Sequence, residues 1–278
     1  MNKVKKTFQG LTYYQWCKKL GISYLGNYCS SVKELKSLKN GCLTYMLYLA
    51  PSDLSGYKTC PNDKYCRDLC LNESGQNKLQ IFKNKGKRHE SPVNLSRIKK
   101  TRLFYENREL FMFLLCHEIE KNYEKAKKMN LSFAVRLNGT SDLSPELFKI
   151  ENVCILDYYH NIQFYDYTKV FNRVKLINRY KNYDLTFSYN GYNWDDCEQF
   201  LLANGKVAVV FDGLMPKTFH GFIVNNANEY DMRFLDNPKE ICGLTFHRVA
   251  SCYDKDNNYI GTGDNNFVVK EYDINCGY

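Results

Sequence analysis

CLTYMLYLA, residues 42–50, is the first of seven short apolar runs typical of buried β-strands. The later runs are LSFAVRLNG (131–139), NIQFYDYT (161–168), YDLTFSYN (183–190), KVAVVFDG (206–213), HGFIVNN (220–226) and CGLTFHRVA (242–250). They are rich in β-branched and aromatic residues, which favour strands. Runs of this length are also too short for most helices. We therefore predict six or seven strands from this series.

Helical patterns lie between several of these runs, at residues 102–130, 144–156, 168–182 and 193–205. Strands that alternate with helices indicate βαβ units and a mainly parallel sheet. We therefore predict an α/β fold, a partial TIM-like (β/α) barrel with about six or seven mainly parallel strands. A doubly wound sheet is the alternative. We expect residues 1–40 to form an N-terminal extension packed on the barrel and residues 41–278 to form a single α/β partial-barrel domain.

Composition favours an intracellular protein that is not secreted. The 278 residues contain no run of about 18 apolar residues, so we expect no membrane span. The basic N-terminal residues are not followed by the apolar segment of a signal peptide. Twelve cysteines are too dilute for a disulfide scaffold in a chain of this length, and we expect them to be reduced.

The formal net charge is +9, and much of it lies in the basic segment, residues 78–102. A run of this kind could bind phosphate groups, which makes a nucleic acid or nucleotide a possible partner. The alternative is that these charges are simply solvated on a loop and a helix start.

Polar side chains follow nearly every predicted strand, among them Asn138, Asp166, Ser188 and Asp212. Ligands of barrels and parallel sheets bind at the carboxyl ends of the strands. We therefore expect these residues to line a site at that edge of the sheet, although strands that only emerge into solvent would show the same pattern.

The loop after the first predicted strand carries TCPNDKYCRDLC, residues 59–70, in which Cys60, Cys66 and Cys70 have C-x5-C-x3-C spacing. If DKYCRDLC begins a helix, Cys66 and Cys70 share one face. Lys64 and Arg67 are expected to lower the pKa values of the thiols and so to favour metal binding.

Three interpretations of this motif remain open. A [4Fe–4S] cluster is held by cysteine thiolates, and three of them would leave one iron for another ligand. Zinc usually requires four ligands in close pairs, and His89 could supply the fourth. The third interpretation is three thiols without metal, with Cys66 and Cys70 half-buried.

The motifs TCPNDKYCRDLCLNESGQ, LSRIKKTRLFYENRELFMFLLCHEI, FAVRLNGTSDL, FYDYTKVFNR, LTFSYN, VAVVFDG, DMRFLD and CGLTFHRVA together resemble the "gene product 88" family of phages and large viruses. The resemblance covers roughly residues 40 to 250. It implies a viral or phage protein that works in the host cytoplasm.

The order of strand and cysteines is also similar to that of the radical S-adenosylmethionine superfamily. Those enzymes use a partial parallel barrel with three cysteines in the loop after the first strand. Their usual motif is C-x3-C-x2-C, and RLNGTSD stands here in place of a glycine-rich motif after the second strand. The resemblance implies that Cys60, Cys66 and Cys70 ligate a cluster whose remaining iron binds S-adenosylmethionine.

The same resemblance implies roles for polar residues at the strand ends. The methionine part and the ribose of S-adenosylmethionine would be held by Asn138, Gly139, Thr140, Asp142, Ser188 and Asn190. Asp166, Tyr167 and Lys169 would face the substrate as catalytic residues. Two other interpretations stay open: RLNGTSD as a turn and N-cap, and Asp166 with Lys169 as a structural ion pair.

The sequence thus predicts an iron–sulfur protein. The resemblance to the radical S-adenosylmethionine superfamily implies a radical enzyme, and the basic segment points to a nucleotide or nucleic-acid-related substrate. One alternative is a non-enzymatic protein that binds nucleic acid or a host protein and contains a structural zinc site. Another is a cluster protein for electron transfer or sensing. Hydrolase motifs such as G-x-S-x-G, H-E-x-x-H and the P-loop are missing from the sequence.

Overall fold

A computed structural model describes residues 5–28, 32–177 and 179–270. Its strands are Thr7–Phe8 (β1), Leu11–Thr12 (β2), Gly26–Asn27 (β3), Cys42–Leu47 (β4), Ser132–Arg136 (β5), Lys149–Ile150 (β6), Val153–Cys154 (β7), Gln163–Thr168 (β8), Tyr183–Ser188 (β9), Lys206–Asp212 (β10), Thr218–Phe219 (β11), Phe222–Asn226 (β12), Ile241–Thr245 (β13) and Val268–Lys270 (β14). All seven predicted strands are confirmed, as β4, β5, β8, β9, β10, β12 and β13.

The α-helices are Tyr13–Leu20 (α1), Val32–Lys39 (α2), Gly75–Lys83 (α3), Pro92–Glu106 (α4), Arg108–Lys128 (α5), Ile155–Tyr158 (α6) and Trp194–Leu202 (α7). Short 3-10 helices are Leu71–Glu73, Arg88–Glu90, Pro145–Leu147, Phe171–Leu176, Arg233–Leu235 and Ala250–Cys252. In the part of the chain that the structure describes, no helix is long and apolar enough to cross a membrane.

Ten strands form one large sheet in the order β11-β12-β13-β10-β9-β8-β5-β4-β3, with β14 beside β10. The pairs β4–β5, β5–β8, β9–β10, β10–β13, β12–β13 and β10–β14 are parallel. The outer pairs β3–β4 and β11–β12 are antiparallel. The predicted α/β fold with a mainly parallel sheet is therefore confirmed. Among the described residues the sheet does not close into a barrel.

The buried strands have the sequence that a parallel sheet requires. All six residues of β4, CLTYML, are buried, as expected for a strand that is covered on both faces. Residues at both ends of helix α1 explain its length. Thr12 and Gln15 form a capping box at its start, and Gly21 ends it in the left-handed conformation, with φ 59°.

Three helix predictions need correction. The pattern at 102–130 belongs to two helices, α4 and α5, because the Asn107 side chain accepts a hydrogen bond from the Leu110 amide (3.2 Å) and starts a new helix. Residues 144–156 instead contain the hairpin β6–β7. Glu151 and Asn152 turn it with positive φ angles of 49° and 70°, which a continuous helix excludes. Residues 168–182 hold only the 3-10 helix Phe171–Leu176, and residue 178 lies outside the described residues.

The chain groups into two compact units. The first comprises Met1–Thr59, Ser96–Asp166 and Tyr180–Asp184, and the second comprises Cys60–Leu95, Tyr167–Arg179 and Leu185–Tyr278. The predicted N-terminal extension, residues 1–40, lies within the first unit.

A buried carboxylate joins distant parts of the first unit. Glu118 of α5 accepts hydrogen bonds from the hydroxyls of Tyr13 (2.7 Å) and Tyr45 (2.6 Å) and from the amides of Leu25 (2.7 Å) and Gly26 (2.9 Å). Both carboxylate oxygens are therefore used, as a buried charge requires. This network fixes the N-terminal residues against β4 and α5.

Candidate functional site

The cysteine loop, Cys60–Cys70, starts directly after an anchored residue. The Thr59 hydroxyl donates to the Ala50 carbonyl (2.6 Å), and the Thr59 carbonyl accepts from the Asp142 amide (2.8 Å). The loop itself consists of turns, in which the Cys66 and Arg67 amides both donate to the Asp63 carbonyl. The predicted helix at DKYCRDLC was therefore wrong, because these turns lead only into the short 3-10 helix Leu71–Glu73.

Within the second unit, the cysteine loop contacts segments that flank the sheet strands. The Asn62 side chain donates to the carbonyl of Lys169, the residue after β8 (2.6 Å). The rings of Tyr65 and Tyr192, which follows β9, lie 4.2 Å apart. Asn265, shortly before β14, donates to the Tyr65 carbonyl (2.7 Å). The loop after the first buried strand thus contacts segments at the ends of other strands.

The Cys70 thiol is affected by the two other cysteines of the loop. The pKa of Cys70 is raised to about 12, chiefly by burial and further by the neighbouring Cys60, Cys66 and Glu73. Cys60, Cys66 and Cys70 are half-buried as whole residues. The expectation that Lys64 and Arg67 would lower the thiol pKa values was wrong for Cys70, because burial outweighs any nearby positive charge there.

A second ionisable group, Glu73, is buried beside the cysteine loop. Its carboxylate forms an ion pair with the Arg88 guanidinium (Oε1–Nε 3.0 Å). Burial nevertheless raises the pKa of Glu73 to about 7, with Asp68 adding to the shift and Arg88 opposing it. The exit of the cysteine loop therefore places a carboxyl group that titrates near neutral pH close to Cys70.

Three buried asparagines fix the chain after the cysteine loop. The Asn94 side-chain oxygen accepts hydrogen bonds from the side chains of Asn72 (3.1 Å) and Asn77 (3.0 Å). Asn94 in turn donates to the Arg88 carbonyl (2.9 Å). Because these buried side-chain amides form hydrogen bonds with one another, they link α3 to the start of α4 directly after Cys70.

In the described part of the chain, the thiols of the cysteine loop are not arranged as a metal centre. Within residues 5–28, 32–177 and 179–270, no group of three or more His, Cys, Asp or Glu side chains is placed so that it could hold a metal ion. His89, the predicted fourth zinc ligand, is exposed in the 3-10 helix Arg88–Glu90. The donor set suits a cluster or zinc in its chemistry, but metal binding would require the thiols to approach one another.

In the first unit, the structure brings together Asn138 and Asp166. The Asn138 amide and side chain donate to the two oxygens of Asp166 (2.7 and 3.1 Å). The Asn138 side chain also accepts from the Ser141 hydroxyl (2.9 Å) and the Leu143 amide (2.8 Å). Both residues are almost fully buried. This geometry is that of a locked turn, and the cofactor and catalytic roles of the two residues stay predictions.

The rest of RLNGTSD packs on the end of β4. The Gly139 amide donates to the Leu47 carbonyl (2.9 Å), and the Thr140 hydroxyl donates to the Leu49 carbonyl (2.5 Å). A Cβ atom at Gly139 would lie 2.7 Å from the Tyr48 ring, so glycine is needed for this close approach. Asp142 is buried.

In the second unit, the remaining predicted residues lie on separate strand ends. Asn190 organises its own turn, because its amide donates to the Asn193 side chain (2.8 Å) and its side chain accepts from the Tyr192 amide (2.9 Å). Ser188 is buried at the end of β9. Tyr167 packs against the buried cluster of Ala208, Ala227 and Cys242.

Lys169 is the predicted catalytic residue that the structure places against the cysteine loop. Its carbonyl accepts the hydrogen bond from Asn62, and its ammonium lies 5.3 Å from the centre of the Phe267 ring. Sequence patterns do not indicate that Asn62, Tyr65, Tyr192 and Asn265 hold this region together, because these contacts join residues far apart in the chain.

The basic segment, residues 78–102, is divided between the two units, and several of its charges have partners. Lys87 pairs with Glu90 (3.0 Å), and Arg97 lies over the Tyr48 ring (5.1 Å). Lys100 is buried, and burial lowers its pKa to about 8 despite the opposing effect of Glu118. Only part of the segment therefore offers exposed charge, and its role in binding nucleic acid stays a prediction.

The fold and these loops define an α/β protein with a mostly parallel sheet and three neighbouring cysteines after its first buried strand. The family model described as "Gene product 88" matches residues 21–258, and the chain belongs to this family. No curated protein and no solved structure matches the chain.

Proposed function

We propose that Cys60, Cys66 and Cys70 bind a [4Fe–4S] cluster. The observation that carries the proposal is that one loop after the first buried strand holds three half-buried free cysteines at C-x5-C-x3-C spacing. Cysteine thiolates are the ordinary ligands of such clusters. The energy of metal binding would order the loop, as it does in other metal-dependent folds.

We further propose that the protein is a radical S-adenosylmethionine-like enzyme with a partial barrel. Three thiolates would leave one iron open, and the amino and carboxyl groups of S-adenosylmethionine would bind there. The strand order supports this proposal, because β4, β5, β8, β9, β10 and β13 follow one another across the sheet in chain order. A doubly wound sheet would instead reverse its order at a switch point.

The first experiment is anaerobic purification and reconstitution with iron and sulfide. We expect a broad absorbance near about 400 nm and about four iron atoms per chain. Each of Cys60→Ala, Cys66→Ala and Cys70→Ala should lower the iron content strongly. Cys154→Ala is the matched control, because Cys154 is also half-buried but lies in the hairpin β6–β7. Its iron content should equal that of the unmodified chain.

Two outcomes would overturn the cluster proposal. One is a colourless protein with stoichiometric zinc that the three cysteine variants lose, which would identify a structural zinc site. The other is iron that the Cys154→Ala control loses as readily as the three variants do.

The second experiment tests the open iron. S-adenosylmethionine added to the reduced, reconstituted protein should change its electron paramagnetic resonance spectrum, whereas 5′-methylthioadenosine, which lacks the amino and carboxyl groups that would bind the iron, should leave it unchanged. An unchanged spectrum with a full complement of iron would leave a cluster protein for electron transfer or sensing and would exclude the enzyme.

A further inference from the structure

The first unit carries a surface of lysines and tyrosines on α1, on α5 and directly after β3, outside the sequence of the basic segment, residues 78–102. We define this lysine–tyrosine face as Tyr14, Lys18, Tyr28, Lys121, Lys125 and Lys128. Tyr14 and Lys18 belong to α1, Tyr28 follows β3, and the three other lysines lie in the last turns of α5.

Helical spacing places the lysines of the face in line. Lys121, Lys125 and Lys128 follow at i, i+4 and i+7 on α5, so they lie on one side of that helix. Tyr14 and Lys18 are also four residues apart on α1. The sequence shows this spacing, but it does not show that the two helices present their lysines together.

Direct contacts join the tyrosines to the lysines. The Lys121 ammonium donates to the Tyr14 hydroxyl (3.2 Å), which connects α5 to α1. The Lys125 ammonium donates to the Tyr28 hydroxyl (2.6 Å) and lies 4.0 Å from the centre of its ring. Each ring is therefore held in place by a cation and still has exposed surface, 63% for Tyr14 and 37% for Tyr28.

The charge of the face is positive. Glu124, in the same turns of α5, forms an ion pair with Lys127 (3.0 Å) and so has a partner next to the face. Lysines that track a phosphate backbone, together with rings on which bases stack, form the usual surface for single-stranded nucleic acid. A duplex would contact the lysines but would leave the rings without exposed bases.

We propose that the lysine–tyrosine face binds single-stranded nucleic acid without strong sequence preference. The lysines contact phosphates, and Tyr14 and Tyr28 stack on bases. This site is independent of any metal in the cysteine loop and of the basic segment, residues 78–102.

The test uses the purified full-length chain and a fluorescein-labelled 20-nucleotide oligo(dT) or oligo(U), with binding measured by fluorescence anisotropy over a series of salt concentrations. In the variant Lys121→Gln/Lys125→Gln, each lost phosphate contact should weaken binding roughly fivefold at 0.1 M salt, or about 25-fold in all. The slope of log K against log salt should become shallower by about 1.4.

The matched control is Lys83→Gln/Lys85→Gln, which removes the same charge from exposed positions of the basic segment. Its affinity and salt slope should stay close to those of the unmodified chain. If the control loses as much affinity as the Lys121/Lys125 variant, the proposal fails, because binding then follows net charge or uses the basic segment.

Tyr14 tests the stacking step separately. Tyr14→Ala should weaken binding about tenfold, whereas Tyr14→Phe keeps the ring and should bind nearly normally. Circular dichroism and thermal unfolding verify that each variant is folded. Equal binding of a duplex of the same sequence, or of vesicles containing anionic lipid, with no effect of Tyr14→Ala would overturn the proposal in favour of a general polyanion surface.

Discussion

The loops that follow β4 and β5 differ in the burial and the hydrogen bonding of their polar side chains. After β5, Asn138 makes hydrogen bonds with Asp166, Ser141 and Leu143 in a buried turn. After β4, the cysteine loop is a series of turns with half-buried thiols. Its Asn62 side chain donates to the Lys169 carbonyl, and its Tyr65 carbonyl accepts from the Asn265 side chain.

The two loops therefore differ in how well the fold should tolerate a substitution in them. A loop whose side chains satisfy one another loses stability when one of them is removed. The cysteine loop is held to other segments by Asn62 and Tyr65, so those contacts stay in place when a cysteine is changed. We therefore expect stability to depend on the loop after β5 and function to depend on the cysteine loop.

The largest expected effect is that of Asp166→Ala. The variant leaves the Asn138 amide and side chain without their buried acceptors, so we expect a loss of about 3–5 kcal/mol in the free energy of unfolding. Urea unfolding followed by circular dichroism measures it. Asp212→Ala, at the half-buried end of β10, is the control and should cost less than about 1 kcal/mol. Equal losses would remove the special status of the loop after β5.

Lys100 provides the next test, because it is a buried charge of the first unit. Its folded pKa is about 8 and its ordinary value is 10.5, so between these pH values the unfolded chain binds more protons and stability should rise with pH. The protonated side chain costs up to about 3 kcal/mol below pH 8. Lys100→Met should therefore be more stable than the unmodified chain at pH 7.

The advantage of Lys100→Met should shrink as the pH rises from 8 towards 10.5. Denaturation midpoints of both proteins over this range measure the difference, and Lys99→Met, at an exposed neighbouring position, is the control. A difference that stays constant with pH would contradict the lowered pKa of Lys100.

Gly139→Ala should have a smaller effect that still belongs to the loop after β5. The new Cβ atom would meet the Tyr48 ring at 2.7 Å and the Leu47 carbonyl at 2.8 Å, so the backbone must shift. We expect a loss of about 1–3 kcal/mol by urea unfolding, as for other overpacked sites. A variant as stable as the unmodified chain would show that this loop is more adaptable than its hydrogen bonds indicate.

The smallest effects are expected in the cysteine loop of the metal-free protein. Cys60→Ser and Cys66→Ser should each change the free energy of unfolding by less than about 1 kcal/mol. Cys70→Ser should cost more, because the Cys70 thiol is desolvated and a hydroxyl there loses hydration. A large loss of unfolding free energy in Cys60→Ser or Cys66→Ser without metal would show that the cysteine loop, like the loop after β5, stabilises the fold.

The strands were predictable from sequence because β4 and β10 are short apolar runs whose burial leaves little choice of structure. The helix boundaries and the contacts around the candidate site were harder to predict from sequence. The apolar spacing of residues 102–130 does not reveal that Asn107 caps a new helix, since this depends on one side-chain hydrogen bond. The spacing of Cys60, Cys66 and Cys70 places all three in one loop, and their joint role as metal ligands stays a prediction. The contact of Tyr65 with Tyr192, by contrast, arises only from tertiary packing.

The lysine–tyrosine face shows the same limit. Lys121 and Lys125 have helical spacing in the sequence, but Tyr14 lies 107 residues before Lys121 and only the fold brings them together. Much of the positive charge in the sequence lies instead in residues 78–102, where Lys100 is buried. A linear count of charges cannot separate such a lysine from one that faces solvent.

The Glu118 network has a consequence for the order of folding during synthesis. Tyr13, Leu25 and Gly26 find their acceptor only on α5, about 90 to 105 residues later in the chain. Contacts this distant in sequence form late, because the intervening chain must first emerge and close a long loop. Residues 13–26 of the nascent protein therefore reach their final contacts only after α5 has been synthesised, and the lysine–tyrosine face is completed in the same step.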